Sequence, residues 1–381
     1  MDFELDETAR LVAQTARDLA KARIAPRAAA MERAEAIDDE VLRALSGVGL
    51  LGVNLPESLG GAEAGVVAYA LAMMEVAGAC ASTAVTMAVT NMVGEVIAKF
   101  GTEAQKNEHC PKLCDGTYRA GAFGLSEAEA GSDPAGMRTT ARRDGDGWVL
   151  DGTKQWITSG AFAGVVVVWA RTAGPEAGSR GITCFLVRGG TPGMSAVSHE
   201  DKLGLRASNT AVLSFEGCRV PDSDRLGEVG SGFPIAMMAL DGGRIGIGSQ
   251  AIGIAEAALA EAVEYAKSRR QFGQSLDRFQ ALQWFVADSR AELDAARALV
   301  LRAAWLKQMG RPFSREASMG KLFASEAAWR VCNRALQIHG GYGYMRDFAV
   351  ERHLRDVRVT QIYEGTSEIQ RLVIARTVLK G

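Results

Sequence analysis

A carboxylate between an aromatic residue and a glycine is the strongest chemical feature of this sequence. It is Glu364, in the stretch 361–368, with Tyr363 before it and Gly365 after it. An aromatic side chain that keeps water from a carboxylate raises its pKa toward neutrality, which suits a proton-abstracting base. The glycine has no side chain and lets a substrate approach the backbone. The tripeptide alone is more typical of an ordinary turn, so the rest of the chain must decide between the two interpretations.

Two segments offer surfaces for a flat or phosphorylated ligand. Residues 123–136 place the hydroxyls of Ser126 and Ser132 around a glycine, and hydroxyls with free amides suit a heterocycle or a phosphate. In residues 154–160, strand alternation predicts that Trp156 and Thr158 share one face, as an aromatic floor beside a hydroxyl. Taken alone, the first segment is more typical of a linker and the second of a core residue beside an edge polar group.

Residues 241–244 have the sequence Asp-Gly-Gly-Arg within a helical pattern. Two glycines inside a helix cost roughly 1 kcal/mol each relative to alanine. That cost indicates a ligand passing close to the helix, with Arg244 placed to bind a phosphate or an adenine. The alternative is a helix that begins at Gly243, with Arg244 in a salt bridge.

Two later segments combine glycines with basic or aromatic residues. In residues 269–273, arginines beside an aromatic residue can clamp a pyrophosphate and pack on an adenine, although a helix C-terminus favours the same charges. The glycines in residues 337–343 are sufficient for a helix C-cap, and they could also form a surface against which a ligand lies.

The hydrophobic pattern predicts three regions that position these segments. Helical periodicity dominates up to about residue 116, β-branched runs and a hairpin signal at 144–147 follow, and long helical patterns return after residue 221. We therefore predict an α+β protein with an N-terminal helical domain (1–116), a middle β-domain (117–225) and a C-terminal helical bundle (226–381). The main predicted strands are 165–170, 182–187 and 211–215. The longest predicted helical regions are 66–100, 235–268, 276–309 and 313–338.

Composition argues against several classes of function. The net charge of −2 over 381 residues gives no electrostatic case for nucleic acid. We see no long uncharged apolar run that predicts membrane insertion, and the acidic start, residues 1–6, lacks the order of a signal peptide, so we expect a cytoplasmic protein. The six scattered cysteines predict reduced, buried thiols, and no ligand pairs at zinc spacing predict a metal site. No glycine-rich dinucleotide or phosphate loop joins a strand to a helix.

In their order and spacing, these six segments resemble the acyl-CoA dehydrogenase family, and the resemblance covers nearly the whole chain. It implies an N-terminal helical domain, a middle β-domain and a C-terminal four-helix bundle. It also implies FAD bound without a dinucleotide fold, a homotetramer in which two subunits share each flavin, an acyl-CoA substrate and an electron-transfer flavoprotein as acceptor.

The resemblance also implies roles for individual residues. Contacts to the flavin ring are implied for Phe123, Leu125, Ser126, Ser132, Trp156, Ile157 and Thr158. Contacts to the pyrophosphate and adenine of FAD, from a neighbouring subunit, are implied for Arg269, Phe272, Gln280, Gln337, Ile338, Gly340 and Gly341. Contacts to the adenosine part are implied for Thr366 and Glu368. Contacts to the substrate are implied for Ser132, Asp241, Arg244, Tyr363 and Gly365.

Glu364 stands where this family keeps its base. It would remove the α-proton of the thioester while the β-hydrogen leaves as hydride to flavin N5, giving a trans-2-enoyl-CoA. Some family members carry the base just before the arginine of the Asp-x-x-Arg motif, where this chain has Gly243, which cannot act. The run 241–247 looks most like short-chain, butyryl-type members, so we expect a short- to medium-chain or short branched acyl group. One departure from the family pattern is the charged Glu129 in the loop 128–130.

Two other interpretations of the sequence remain open. A flavin oxidase of the same fold would use oxygen, although the nitroalkane type keeps an aspartate as its base, which Glu364 argues against. A catalytically silent acyl-CoA-binding protein would be supported by loss of the base, and the base is present.

Overall fold

The computed structural model describes residues 4–380, so the first three residues of the acidic start and both outer ends of the predicted domains lie outside it. Within that range, six helices precede the first strand. Helix α1 begins at Glu7 because Asp6 accepts a hydrogen bond from the Ala9 N–H as its N-cap, and Thr102 caps α6 in the same way. These helices are α1 (Glu7–Leu19), α2 (Ala28–Ala34), α3 (Asp39–Gly47), α4 (Val66–Ala79), α5 (Ala81–Phe100) and α6 (Glu103–Cys114).

The helical region predicted at 66–100 is two helices, not one. Cys80 is extended, with φ −160° and ψ 108°, and it separates α4 from α5. Both helices are apolar on nearly every side because they lie inside the protein. By length and composition α5 could cross a membrane, although Glu95 and Lys99 mean that it is not an uncharged apolar run. However, 89% of its apolar window is buried within the protein.

The middle of the chain forms a sheet of eight strands, as the β-rich pattern predicts. The hairpin signal is confirmed by the pairing of Asp144 with Gly147, where Gly145 adopts a φ of 59°. The order is β6-β7-β3-β2-β4-β5-β8, with β1 parallel to β4. The strands are β1 (Gly121–Gly124), β2 (Thr140–Asp144), β3 (Gly147–Thr158), β4 (Val165–Arg171), β5 (Ile182–Arg188), β6 (Met194–His199), β7 (Thr210–Pro221) and β8 (Arg225–Leu226).

Three long helices dominate the C-terminal region. They have 37, 29 and 26 residues, and the longest packs against both of the others and against α4 and α5. A short hairpin separates the first two. The elements are α7 (Gly232–Ser268), β9 (Arg270–Gln271), β10 (Gln274–Ser275), α8 (Gln280–Gln308), α9 (Ser314–His339), α10 (Val350–Val357) and α11 (Ser367–Leu379). The order of helical, β and helical regions is thus confirmed, and the six cysteines are free and buried as expected.

A buried ion pair fixes the loop after β1 onto β3. Lys154 is fully buried, and its Nζ donates to Glu127 Oε1 (2.8 Å) and to the Leu125 carbonyl (3.0 Å). Glu127 also accepts from the N–H groups of Arg138 and Thr139. Burial lowers the pKa of Lys154 to about 8, and the charge of Glu127 opposes that shift. Glu129, the departure from the family pattern, makes only an exposed ion pair with Arg138.

The two glutamates of this loop provide a matched test of the ion pair. Glu127→Gln should lower the free energy of unfolding by about 3–5 kcal/mol, because it leaves the Lys154 charge buried without its partner. Glu129→Gln removes an exposed ion pair and should change stability by less than about 1 kcal/mol. Denaturant unfolding of the two variants beside the wild type measures both values. Equal losses in the two variants would show that Lys154 does not depend on Glu127.

Candidate active site

The segment that carries Glu364 is a turn held in an unusual backbone conformation. Glu364 and Gly365 have φ values of 53° and 87°, so two successive residues are left-handed. For glutamate this conformation costs free energy and persists only where the surroundings enforce it. Here Gln370 Nε2 donates to the carbonyl oxygens of Glu364 (3.0 Å) and Gly365 (2.8 Å), and Lys321 Nζ donates to the Gly365 carbonyl at 2.8 Å. Three hydrogen bonds from two side chains therefore fix the turn.

The carboxylate of Glu364 lies against a bare stretch of α7. A methyl group at Gly243 would come within 2.7 Å of Glu364 Oε2, closer than real methyl contacts, and within 3.2 Å of Met92 Sδ, which is a tight contact. Oε2 is shielded from solvent and has no hydrogen-bond partner among the described residues, although Glu364 as a whole is only partly buried. Helix α7 passes unbroken through this point, so a helix start at Gly243 is wrong. The glycine pair predicted that a ligand passes close to this helix. In the structure, the side chain of Glu364 itself lies against Gly243.

The electrostatic surroundings hold Glu364 near the midpoint of its titration. Removal from water raises its pKa from 4.5 to about 7, while the positive charges of Arg244 and Lys321 oppose the rise. A carboxylate with a pKa near 7 is ionised in part at neutral pH and still accepts a proton readily. These are the properties required of a general base.

Tyr363 lies beside Glu364, as the sequence requires, but its hydroxyl points to another partner. It donates to Gln250 Oε1, and Gln250 Nε2 in turn donates to the Ala81 carbonyl at 2.9 Å. This chain of bonds links the turn to α7 and α5. A second aromatic residue, Tyr69 on α4, is buried within range of Glu364, whose charge contributes to raising the pKa of that phenol.

Arg244 is buried and forms an ion pair with Asp241. Its guanidinium donates to Asp241 and, at 3.3 Å, to Ser318 Oγ, and Ser314 Oγ donates to Asp241 at 2.9 Å. The structure thus brings Asp241 and Arg244 together next to the turn. Their predicted contact with the substrate's CoA arm stays a prediction.

The two loops predicted to contact a flavin ring are adjacent. The Gln155 N–H donates to the Ser126 carbonyl at 2.9 Å, and a methyl group at Gly131 would lie 3.8 Å from the Trp156 ring. Leu125 and Ile157 are buried, Ser126 and Thr158 partly so, and Ser132 is exposed. Phe123 packs on Trp169 with ring centroids 4.3 Å apart.

Strand β3 does not alternate regularly at Trp156, so the prediction that Trp156 and Thr158 share one face does not follow from alternation. The register of β3 against β7 shifts between Lys154 and Ile157, where two residues of β3 oppose one residue of β7. Trp156 lies in this bulge with a φ of 59°, and it is 52% exposed. A β-bulge re-aims a side chain in this way, and here it turns a large ring toward solvent beside the glycine-containing loop.

The residues predicted to bind the far end of the cofactor lie around the β9–β10 hairpin and the end of α9. Phe272, at the hairpin, has a φ of 51° and is 93% exposed. The Arg269 guanidinium lies 5.4 Å from the Tyr342 ring centroid, which joins the hairpin to the glycine-rich turn. Gln280, Gln337, Gly340 and Gly341 are exposed. Ile338 is buried in the core, and its predicted contact with the cofactor stays a prediction.

Several residues of the site escaped the sequence analysis. Lys321, Gln370, Gln250 and Tyr69 act on Glu364 or its turn, and all except Gln370, six residues after Glu364, are distant from it in sequence. One signal was present for Lys321, which sits among small residues on the inward face of α9. A lone lysine in such a stripe predicts a buried charge with a specific partner.

Comparison with known proteins gives matches along the whole chain. Three family models match in succession: "Acyl-CoA dehydrogenase, N-terminal domain" at residues 6–117, "middle domain" at 122–218 and "C-terminal domain" at 230–379. The human "Short-chain specific acyl-CoA dehydrogenase, mitochondrial" is 48% identical over 99% of this chain and 92% of its own.

Two solved structures match in full. Butyryl-CoA dehydrogenase from Megasphaera elsdenii superposes with a TM-score of 0.97 at 42% identity, covering 100% of both chains. A chain from a structural study of the electron transferring flavoprotein of Acidaminococcus fermentans gives a TM-score of 0.98 at 42% identity, again covering 100% of both chains.

The raised pKa of Glu364 predicts how stability depends on pH. Between about pH 4.5 and pH 7, the folded protein keeps a proton that the unfolded chain has released, so this group's contribution is full below pH 4.5 and is lost as pH rises through 7. Glutamine does not titrate, so the variant Glu364→Gln does not lose stability through this group as pH rises. Its unfolding free energy relative to wild type should therefore increase with pH over that range, by at most about 3 kcal/mol. Denaturant unfolding at several pH values measures the difference, and parallel profiles for the two proteins would contradict the prediction.

Proposed function

Since the chain belongs to the acyl-CoA dehydrogenase family, we propose that Glu364 is the base that removes the α-proton of a short-chain acyl-CoA thioester. The chain is of the family's short-chain, butyryl type. One observation carries the proposal: Glu364 Oε2 lies over Gly243, shielded from water and with no hydrogen-bond partner among residues 4–380, on a carboxyl group whose pKa is about 7. A carboxylate oxygen without a partner in a dry site is free to take a proton from a substrate.

The family is FAD-dependent, and the residues of this chain fit that cofactor. Trp156 is turned outward by a bulge and Phe272 is nearly fully exposed, so both rings are accessible to stack on a flat ligand. Gly340 and Gly341 have nothing within 4 Å of where a side chain would stand, so a ligand can lie on their backbone. We propose that Trp156 and its neighbouring loops hold the flavin ring, and that the Phe272 hairpin holds the adenine end. FAD, when bound, accepts the hydride that the substrate loses from its β-carbon.

Groups of this chain would stabilise the enolate and keep the base ionised. A thioester α-proton is too weakly acidic for a carboxylate in water, so donors must stabilise the enolate oxygen as it forms. The N–H groups of Ile362 and Tyr363 both donate to the Val359 carbonyl, whereas that of Glu364 meets no acceptor within residues 4–380. We propose that this N–H donates to the thioester oxygen. Arg244 and Lys321 favour the ionised carboxylate before the proton is transferred.

Two further features complete the proposal. We propose a homotetramer with an electron-transfer flavoprotein as electron acceptor, since Phe272 and the glycine turn are open for a neighbouring subunit and the chain resembles one from a study of such a flavoprotein. The cytoplasmic location stays a prediction from the sequence.

A same-fold oxidase would use oxygen, and rapid reoxidation of the reduced flavin in air would distinguish it from a dehydrogenase. A silent binding protein is disfavoured because the base is present and its pKa is near 7.

Replacing the base should separate binding from chemistry. Glu364→Gln should keep its FAD and bind butyryl-CoA, but the rate of flavin bleaching by butyryl-CoA without oxygen should fall at least about 1,000-fold, because no group remains to take the α-proton. Stopped-flow absorbance measures the rate, and the visible spectrum of the purified variant controls for FAD content. Bleaching at the wild-type rate would exclude Glu364 as the base.

The two glycines of α7 offer a matched pair for the position of the carboxylate. Gly243→Ala should displace the Glu364 carboxylate and slow flavin reduction about 100-fold, since misplacement of about 1 Å has that effect. Gly242→Ala would press instead on Lys307 Nζ, 2.9 Å away, and so leave the carboxylate in place. Both changes favour a helix by up to about 1 kcal/mol, so neither should unfold the protein. If both variants reduce flavin equally fast, the contact at Gly243 does not control the base.

A further inference from the structure

Lys321 is a buried basic residue whose only part in the proposed reaction so far is its long-range electrostatic effect on Glu364. It lies on α9 with none of its surface exposed. Within residues 4–380 no carboxylate comes within ion-pair distance of its Nζ, which donates its hydrogen bond to the Gly365 carbonyl at 2.8 Å. A buried ammonium group without a salt bridge is costly and uncommon. Its place next to the turn of Glu364 therefore calls for a specific role.

The position of Lys321 depends on the close approach of α7 and α9. A methyl group at Gly248 would lie 3.5 Å from the Lys321 Cα, and one at Gly320 would lie 3.2 Å from the Val300 Cα. Small residues thus let α9 pack tightly against both α7 and α8. This packing directs the lysine stem toward the turn and leaves its ammonium group with a backbone oxygen as partner.

Two side chains from different helices hold the same carbonyl. Gly365 O accepts from Lys321 on α9 and from Gln370 on α11, both at 2.8 Å. Gln370 is neutral and also donates to the Glu364 carbonyl, whereas Lys321 brings a positive charge when it is protonated. The two residues therefore share one structural task but differ in their electrostatic effect on the carboxylate.

The charges around the turn come from several elements. Glu364 is influenced by Arg244 from α7 and by Lys321 from α9, and its own charge reaches Tyr69 on α4 and the adjoining Tyr363. Burial lowers the pKa of Lys321 to about 7; Glu364 is the leading opposing influence, with smaller ones from Glu326 and Glu368, and Arg244 adds to the lowering. Lys321 is thus coupled more strongly to Glu364 than to the other carboxylates.

We propose that Lys321 is a positioning residue of the reaction, whose ammonium group fixes the left-handed Glu364–Gly365 turn through the Gly365 carbonyl and places a positive charge near the base. This inference rests on the proposed role of Glu364. It assigns Lys321 a function beyond folding, because the turn sets where the carboxylate and the Glu364 N–H point. No contact with substrate or cofactor is required of the lysine.

Lys321→Met tests this role against Gln370→Met, which removes the other donor to the same carbonyl without removing a charge. We expect flavin reduction by butyryl-CoA to slow at least about tenfold in Lys321→Met, with the half-saturating concentration changed less than about threefold, because the turn orients the base and does not bind the ester. The pH at which the rate is half-maximal should move upward, since a cation that favours the ionised base is lost. Gln370→Met should slow the reaction without moving that midpoint, and Lys321→Arg should keep the midpoint near that of wild type.

The outcomes separate this inference from the proposed function. If the wild type fails to reduce its flavin with any CoA ester, the proposed function is wrong. If the wild type reacts and Lys321→Met matches it in rate and pH midpoint, Lys321 is only structural and the inference is overturned. A lower rate with an unmoved midpoint in Lys321→Met also overturns the electrostatic part. If Lys321→Met does not retain FAD, the same measurements are made on Lys321→Gln, which keeps a hydrogen-bond donor but has no charge.

Discussion

The close contact between the Glu364 carboxylate and the bare backbone at Gly243 is the constraint on which the rest of the site depends. In the observed position the carboxylate occupies space that a side chain at 243 would need, and the turn presents Glu364 to α7 from the other side. The turn does so in a left-handed conformation that two side chains from α9 and α11 enforce. Helix packing, backbone conformation and the reacting group are therefore parts of one arrangement, and the free energy of the strained turn is offset by its hydrogen bonds.

The same arrangement explains the acid–base properties of Glu364 as a balance of opposing effects. Burial alone would leave the group protonated at neutral pH, and a protonated carboxyl group cannot remove a proton. Nearby cations alone would make the carboxylate too weak a base. Arg244 and Lys321 partly cancel the effect of burial, and the resulting pKa of about 7 lies where a general base is most effective. Neither cation forms a contact ion pair with Glu364 in the described residues, which leaves Oε2 free for the substrate.

The sequence predicted those features that depend on local pattern. The order of the three regions, the main strands and the three long C-terminal helices follow from periodicity, and Glu364 itself follows from its neighbours and from the family resemblance. The errors lie where distant parts of the chain decide. The break at Cys80 and the bulge at Trp156 depend on packing and on the register of the partner strand. Lys321 could not be assigned to the turn because only the packing of α9 brings it there. Gln370 is six residues after Glu364, but its bonds depend on the direction in which α11 leaves the turn.

The geometry also explains why positions 243 and 364 cannot both carry a base. A side chain at 243 would begin 2.7 Å from Glu364 Oε2, so the two positions compete for a single volume beside α7. The sequence excluded Gly243 as a base because glycine has no ionisable group. The structure adds that a side chain at 243 would have to displace the Glu364 carboxylate from its observed position. Transfer of the carboxylate to position 243 would therefore demand a smaller residue at 364 in the same chain, and the pair Gly243 and Glu364 is one functional unit that spans two elements.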